Sequence, residues 1–233
     1  MASPGWVSLT PLATPAIMTT GIPTIMARTG KFITFEGGEG SGKSTHIEQV
    51  ARRLRQTGRR VLVTREPGGT AVGEQIRHLL QYSRQSVAMD PATELLLFCA
   101  SRAQLAREVI APALAQGQVV LCDRFADSTT VYQGVGRQLA ADPVAAINRF
   151  AAGDCRPDLT VVIDLDPRIG LERARGRELF DRMENQSRDF YERVRQGYLE
   201  LARREPHRVR VVDGNQSLAA VGEQIWELVR HVV

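Results

Sequence analysis

Lysine is almost missing from this chain: of 30 basic residues only Lys31 and Lys43 are lysines, which leaves 28 arginines. Those arginines are scattered, mostly through segments of helical pattern, and never gather into a block of like charge. The formal net charge of +4 therefore describes a solvated basic surface and not a nucleic-acid track, which needs clustered phosphate contacts. Cysteine is scarce too. Cys99, Cys122 and Cys155 are odd in number, far apart and without a C-x-x-C pair, which favours buried free thiols in a reducing compartment over a disulfide scaffold or a zinc site. The four histidines, His46, His78, His207 and His231, show no metal-ligand spacing. No internal repeat or low-complexity block follows Lys31.

The first 29 residues are the other poor region. Gly5 to Gly30 is rich in Pro, Thr and Ala and carries one charge, Arg28. It lacks the basic start and unbroken apolar run of a secretory signal, and Pro11, Pro15 and Pro23 interrupt any membrane-spanning helix. We expect a disordered extension, or sequence upstream of a later start at Met18 or Met26, ahead of one domain spanning 30–233. Without an export signal the expected compartment is the cytoplasm.

From Lys31 onward, short apolar runs alternate with helical ones. Strands are expected at Phe32–Glu36, Val61–Arg65, Val119–Asp123, Thr160–Asp164 and Val209–Val212, all with few alternating polar positions, as for strands covered on both faces. Helices are expected at Ser44–Thr57, Val72–Gln81, Ala92–Gln116, Pro143–Ala152, Pro167–Arg175, Gln186–Arg204 and Leu218–Val232, with Pro112 shortening or kinking the third. The alternation implies βαβ units, and so an α/β fold with a five-stranded parallel sheet flanked by helices in three layers.

The first strand runs into Gly37-Gly38-Glu39-Gly40-Ser41-Gly42-Lys43-Ser44, then Thr45 and a helix. This is the P-loop pattern in its required place, after a strand and before a helix. Glycines let successive N–H groups turn inward to phosphate oxygens, and the helix N-terminus adds partial positive charge. Lys43 can reach the β- and γ-phosphates of ATP, and the Ser44 hydroxyl can ligate Mg²⁺. A nucleotide-binding P-loop NTPase follows; the reaction does not, because P-loops serve motors, GTPases and kinases alike.

The later segments narrow it. Thr64-Arg65-Glu66-Pro67-Gly68-Gly69-Thr70, Leu97-Phe98-Cys99-Ala100-Ser101-Arg102, Asp123-Arg124-Phe125, Asp127 to Gly134, Arg156-Pro157-Asp158-Leu159, and Arg175-Gly176-Arg177 before Asp181-Arg182-Met183-Glu184 together resemble the thymidylate kinase family. The likeness runs from Lys31 almost to the C-terminus and implies a nucleoside monophosphate kinase fold. It implies transfer of the γ-phosphoryl group of ATP to dTMP, giving dTDP for dTTP synthesis, with Mg²⁺, in a homodimer without nucleic-acid or membrane partners.

By the same resemblance, Phe98 stacks on thymine and Arg102, one helical turn on, meets the thymine O4. Taken alone, Phe98 reads as core and Arg102 as a surface partner of Glu94 or Glu108. Arg65 and Arg124 match two clamps on the dTMP phosphate, a contact suited to the planar guanidinium fork, with the Pro67-Gly68-Gly69 bend presenting Arg65. Asp123 belongs to the Mg²⁺ network; otherwise Asp-Arg is a self-paired turn. Thr129 and Gln133 face the base edge, Tyr132 lies under the deoxyribose, and Glu39 faces the acceptor sugar. Adenine is expected near Asn215-Gln216.

A lid is expected at about 172–184, rich in arginine around Gly176. The P-loop has no arginine, so the resemblance is to the bacterial type with catalytic arginines on the lid: Arg177, supported by Arg175 and Arg182. The alternative for each is a solvated basic helix end. Rival functions are a monophosphate kinase for another base, a nucleoside kinase using Glu36 as a base, and a P-loop nucleic-acid ATPase. A regulatory GTPase is disfavoured by the missing N-K-x-D motif.

Overall fold

A computed structural model describes residues 29–83, 88–174 and 186–233. Five parallel strands form one sheet: β1 (Lys31–Gly37), β2 (Val61–Arg65), β3 (Val119–Asp123), β4 (Leu159–Asp164) and β5 (Val209–Asp213), in the order β2-β3-β1-β4-β5. The five expected strands are all present, each within a residue or so of its predicted ends. Parallel pairing needs a crossover between neighbours, which the intervening helices supply.

β1 sits at the centre and is buried almost throughout, with Phe32, Ile33 and Phe35 at 0% exposure. Full burial of each such side chain is worth roughly 1.5–3 kcal/mol. Its alternation sorts the layers. Ile33 and Phe35 face α1 (Lys43–Gln56) and α9 (Leu218–Arg230), through Ile47, Val50, Leu54, Val221 and Ile225. Phe32 points the other way, toward Leu105, Ile110, Leu114 and Phe125. On that second face, further along the sheet, Val162 and Val209 pack against Phe190, Tyr191, Val194 and Tyr198 of α8 (Arg188–Arg204). The three-layer expectation is met.

The remaining helices are α2 (Ala71–Arg77), α3 (Pro91–Leu105), α4 (Ala111–Ala115), α5 (Ala126–Thr129), α6 (Ala141–Ala152) and α7 (Pro167–Ala174). Two findings differ from the sequence expectation. Pro112 does not break the third helical run; the chain widens into a π-turn over Ala106–Ile110, closed by Ala111 N–H to the Ala106 carbonyl, and continues as α4. The segment after β3, expected only to carry site residues, is helical: α5 leads directly into a π-turn at Thr130–Gly136.

Strand register positions the site. Arg65 of β2 and Phe35 of β1 both pair with Asp123 of β3, so the carboxyl ends of the three strands form one edge. The ladder extends beyond them, with Arg124 N–H bonded to the Phe35 carbonyl and Glu66 N–H to the Asp123 carbonyl. Ligands of open α/β sheets bind outside this edge.

Candidate active site

The turn from Gly37 to Ser44 is shaped by backbone that only glycine adopts without strain. Gly40 has φ 66° and Gly42 φ 85°, and a Cβ on Gly40 would lie 2.2 Å from the Gly170 carbonyl of α7. Gly42 also serves as N-cap of α1 and provides no side-chain cap, whereas α2, α3, α8 and α9 are capped by Thr70, Asp90, Ser187 and Ser217. The amides at the start of α1 are thus left for an anion. Lys43 is buried, and Nζ donates to the Gly37 and Gly38 carbonyls at 3.3 and 2.8 Å and to Ser41 Oγ at 3.3 Å. Burial first, and then the positive Arg124, pull its pKa below the usual lysine value. A polyphosphate beside it would reverse that effect.

Ser44 Oγ donates to Asp123 Oδ2 at 3.0 Å. A hydroxyl and a carboxylate side by side at the phosphate end of a P-loop suit Mg²⁺, which takes few protein oxygens and keeps waters and substrate phosphates. Among the described residues no group of three or more His, Cys, Asp or Glu could hold a metal.

Next to the turn opens a cleft of about 310 Å³ lined by residues from five parts of the chain, the turn itself among them. Arg65, Phe98, Arg124, Thr129, Tyr132 and Gln133 all border it, as do Glu39 and Ser44. Phe98 is half-buried: it packs against the cluster that includes α8 and also borders the cleft. Arg65 is exposed, and Nη2 donates to both Glu74 carboxylate oxygens at 2.8 and 2.9 Å. An exposed pair of this kind is worth about 0–1 kcal/mol, so a phosphate dianion can take Arg65 from it. Glu74 also accepts from Gly69 N–H at 2.8 Å, which ties the Pro-Gly-Gly bend to the arginine it presents.

Arg124 has φ 67°, a left-handed backbone rare outside glycine and costing on the order of 1–3 kcal/mol. Its guanidinium lies 4.9 Å over the Tyr132 ring, and Nη2 donates to Glu39 Oε1 at 2.7 Å. Nη1 donates to the Gly37 carbonyl at 3.0 Å and to Ser128 Oγ and Tyr198 Oη at 3.3 and 3.4 Å. The Asp123-Arg124 pair is not self-paired: Asp123 holds Ser44 and Arg124 holds Glu39.

Arg102 is placed differently. It is fully buried and does not border the cleft. Nη2 donates to Glu66 Oε2 at 2.6 Å and to the Phe125 carbonyl, and Nη1 to Asn148 Oδ1 at 2.7 Å. Neither surface partner weighed from the sequence is used, since Glu94 binds Gln133 and Arg137, and Glu108 accepts from Gln104. Glu66 itself borders the cleft, and burial pushes its carboxyl up to about 7 against the opposing pull of Arg102. Glu36, weighed as a nucleoside-kinase base, is fully buried and does not border the cleft; Phe125 N–H, Ser128 and Tyr198 all donate to it. Asn215 and Gln216, the expected adenine neighbours, are exposed and donate to Asp213 after β5. Arg175, Arg177 and Arg182 lie outside the described residues.

Sequence reasoning passed over Glu66, Arg77, Gln81 and Ser128, which also border the cleft. Arg77 and Gln81 sit on α2 and the π-turn after it, where a polar residue every turn reads as an ordinary wet helix face. Only burial distinguishes them. The Gln81 Oε1, Glu66 Oε1, Thr129 Oγ1 and Tyr132 Oη are buried and make no hydrogen bond of ordinary geometry.

A glycine-rich turn ahead of an uncapped helix, a hydroxyl–carboxylate pair beside it and a cleft that presents two arginines and an aromatic ring fit a P-loop phosphotransferase of the monophosphate kinase class. The comparisons narrow the class. A model of the thymidylate kinase family matches residues 35–225. A thymidylate kinase of Geobacter sulfurreducens is 52% identical over 205 residues, covering 85% of this chain and 96% of the relative. One from Pseudomonas syringae pv. syringae is 54% identical over 193 residues, covering 83% and 91%. The crystal structure of thymidylate kinase from Ehrlichia chaffeensis superposes with a TM-score of 0.69 at 33% identity, covering 86% of this chain and 98% of that one. The chain belongs to the thymidylate kinase family.

Proposed function

We propose that this chain transfers the γ-phosphoryl group of ATP to dTMP, giving dTDP and ADP. The observation that carries the acceptor half is the set of four buried polar atoms that make no hydrogen bond of ordinary geometry, on Glu66, Gln81, Thr129 and Tyr132, all from residues bordering one cleft. Buried polar groups are nearly always satisfied, so such a set marks where a polar ligand completes the structure. A pyrimidine nucleotide supplies donors and acceptors around a flat ring, and Phe98 offers that ring a face.

The geometry of the cleft and turn, together with the family resemblance, supports the following roles. The amides of Gly38 to Ser44 and the Lys43 ammonium hold the ATP phosphates, Lys43 exchanging its carbonyl partners for phosphate oxygens. Ser44 and Asp123 would hold Mg²⁺, which neutralises charge on the β- and γ-phosphates. Arg65 and Arg124 hold the acceptor phosphate in line with the donor. No general base is needed, because a dTMP phosphate oxygen is already ionised, and the loose transition state asks for positioning and charge neutralisation. Tyr132 packs under the deoxyribose, Thr129 and Gln133 meet the base edge, and Glu39 faces the sugar. Arg102 acts on the O4 side as a positioning residue, through Glu66, which it grips at 2.6 Å and which borders the cleft. Arg177 meets the transferring phosphoryl group, with Arg175 and Arg182 in support, and Asn215-Gln216 border adenine.

We further expect a homodimer. Leu96 on α3 and Phe150 on α6 are 54% and 78% exposed, and these two helices pack together through Leu95, Cys99, Val144 and Ala151, so apolar groups are left outside an already filled contact. No helix among the described residues is long and apolar enough to cross a membrane. The cytoplasm is the compartment proposed.

The decisive assay measures ADP release with dTMP, dUMP, UMP, dCMP, AMP and single-stranded DNA as acceptors. Strong preference for dTMP is expected, and Arg102→Gln narrows the preference for dTMP over dCMP. Stimulation by DNA alone contradicts the proposal.

A further inference from the structure

Tyr198 and Glu36 belong to neither substrate cleft by motif, yet both converge on Arg124. Glu36, fully buried at the end of β1, accepts from Phe125 N–H through Oε1 at 2.8 Å. Its Oε2 accepts from Ser128 Oγ at 2.6 Å and from Tyr198 Oη at 2.7 Å. The two hydroxyls also lie 3.0 Å apart, within hydrogen-bond distance of each other with either able to donate. Both oxygens accept from Arg124 Nη1, at 3.3 and 3.4 Å. Burial and the nearby Asp127 raise the Glu36 pKa, while Arg124 and the two hydroxyls favour its charged form.

We propose that Glu36, Ser128 and Tyr198 form a brace that aims Arg124 at the acceptor phosphate. The brace grips the Nη1 end, together with the Gly37 carbonyl, and leaves Nη2 with Glu39 as its one partner on the cleft side. It also explains how a non-glycine residue keeps a left-handed backbone at φ 67°: the side chain is fixed from three elements, β1, α5 and α8. Tyr198 is fully buried beside Tyr132, their rings edge to face at 6.3 Å, so the helix that follows the expected lid reaches the phosphate clamp through one hydroxyl. These are positioning residues and touch no substrate atom in this assignment, except that Ser128 also borders the cleft.

The inference rests on the proposal that Arg124 holds the dTMP phosphate, and a double-mutant cycle separates the two. Steady-state kinetics are measured for the parent, Tyr198→Phe, Ser128→Ala, Arg124→Ala and the two double variants, with dTMP and ATP varied in turn. Tyr198→Phe keeps the ring and is expected to lower kcat/KM for dTMP about tenfold, the scale of one hydrogen bond to a charged group, with KM for ATP unchanged. In the Arg124→Ala background the same change should cost less than twofold. Equal costs in both backgrounds, or a single-variant effect under twofold, overturn the brace. If Tyr198→Phe lowers the melting temperature sharply, Ser128→Ala gives the same comparison without disturbing the ring cluster, and the same two outcomes decide. Should Arg124→Ala itself keep kcat/KM for dTMP within about tenfold, the phosphate-clamp role fails instead.

Discussion

The two halves of the site are built in opposite ways. The donor half is eight consecutive residues whose work is done by backbone amides, glycine turns and one ammonium group, with Lys43 held by carbonyls of its own loop. The acceptor half is gathered from β2, α2, α3, β3 and α5 with the turn after it, and its work falls to side chains, several of them with buried polar atoms that make no hydrogen bond of ordinary geometry. A local turn is preformed by its own covalent geometry. A dispersed pocket needs a network behind it, and the hydrogen bonds around Arg124 and Arg102 provide one. On the proposed assignment the donor half sets the reaction class, and the acceptor half sets what receives the phosphoryl group.

The sharpest way to break this contrast is on the donor side. Lys43→Ala should lower kcat/KM by on the order of 10³ whatever acceptor is supplied, since it removes charge from the transferring phosphates. Arg177→Ala should fall in the same range, and retention of turnover within about tenfold would remove it from the reaction. A loss confined to dTMP after Lys43→Ala would mean that the halves are not separable as described.

An intermediate effect is expected where α7 backs the P-loop. A Cβ at Gly170 would lie 2.2 Å from the Glu39 carbonyl, so Gly170→Ala must displace either α7 or the P-loop. Displacement of about an ångström can cost ~10²-fold, and Gly170→Ala is expected to lose between tenfold and that figure with both substrates affected. The smallest effect belongs to the exposed Arg65–Glu74 pair. Glu74→Gln should change KM for dTMP by no more than about threefold, and downward, because it frees Arg65 at little cost. A large rise in KM would show that Glu74 shapes the bend more than it occupies the arginine.

How much could be read in advance follows from the same contrast. The Gly37–Ser44 turn was legible because each residue type sits at fixed spacing between a strand and a helix, and the five strands were legible as short apolar runs. The helix at Ala126–Gly136 was not, because Asp127-Ser128-Thr129-Thr130 and the later Gly134 and Gly136 are turn-like residues; its helical form comes with burial of Thr129, Val131, Tyr132 and Gln133. Arg102 stood at helical spacing from Phe98, which predicted a shared face, but spacing says nothing of depth, and Glu66 and Asn148 hold it behind the cleft wall. The Glu36–Tyr198 contact joins residues 162 positions apart, and no local pattern announces it.

The central claim is that the cleft beside the P-loop is shaped for a thymine nucleotide. A crystal structure of the protein with dTMP and a non-hydrolysable ATP analogue tests it most directly. The account predicts the pyrimidine ring stacked on Phe98, its phosphate shared by Arg65 and Arg124, and the buried oxygens of Thr129 and Tyr132 newly hydrogen-bonded. A pyrimidine bound away from Phe98, with those oxygens making no new hydrogen bond, would contradict it.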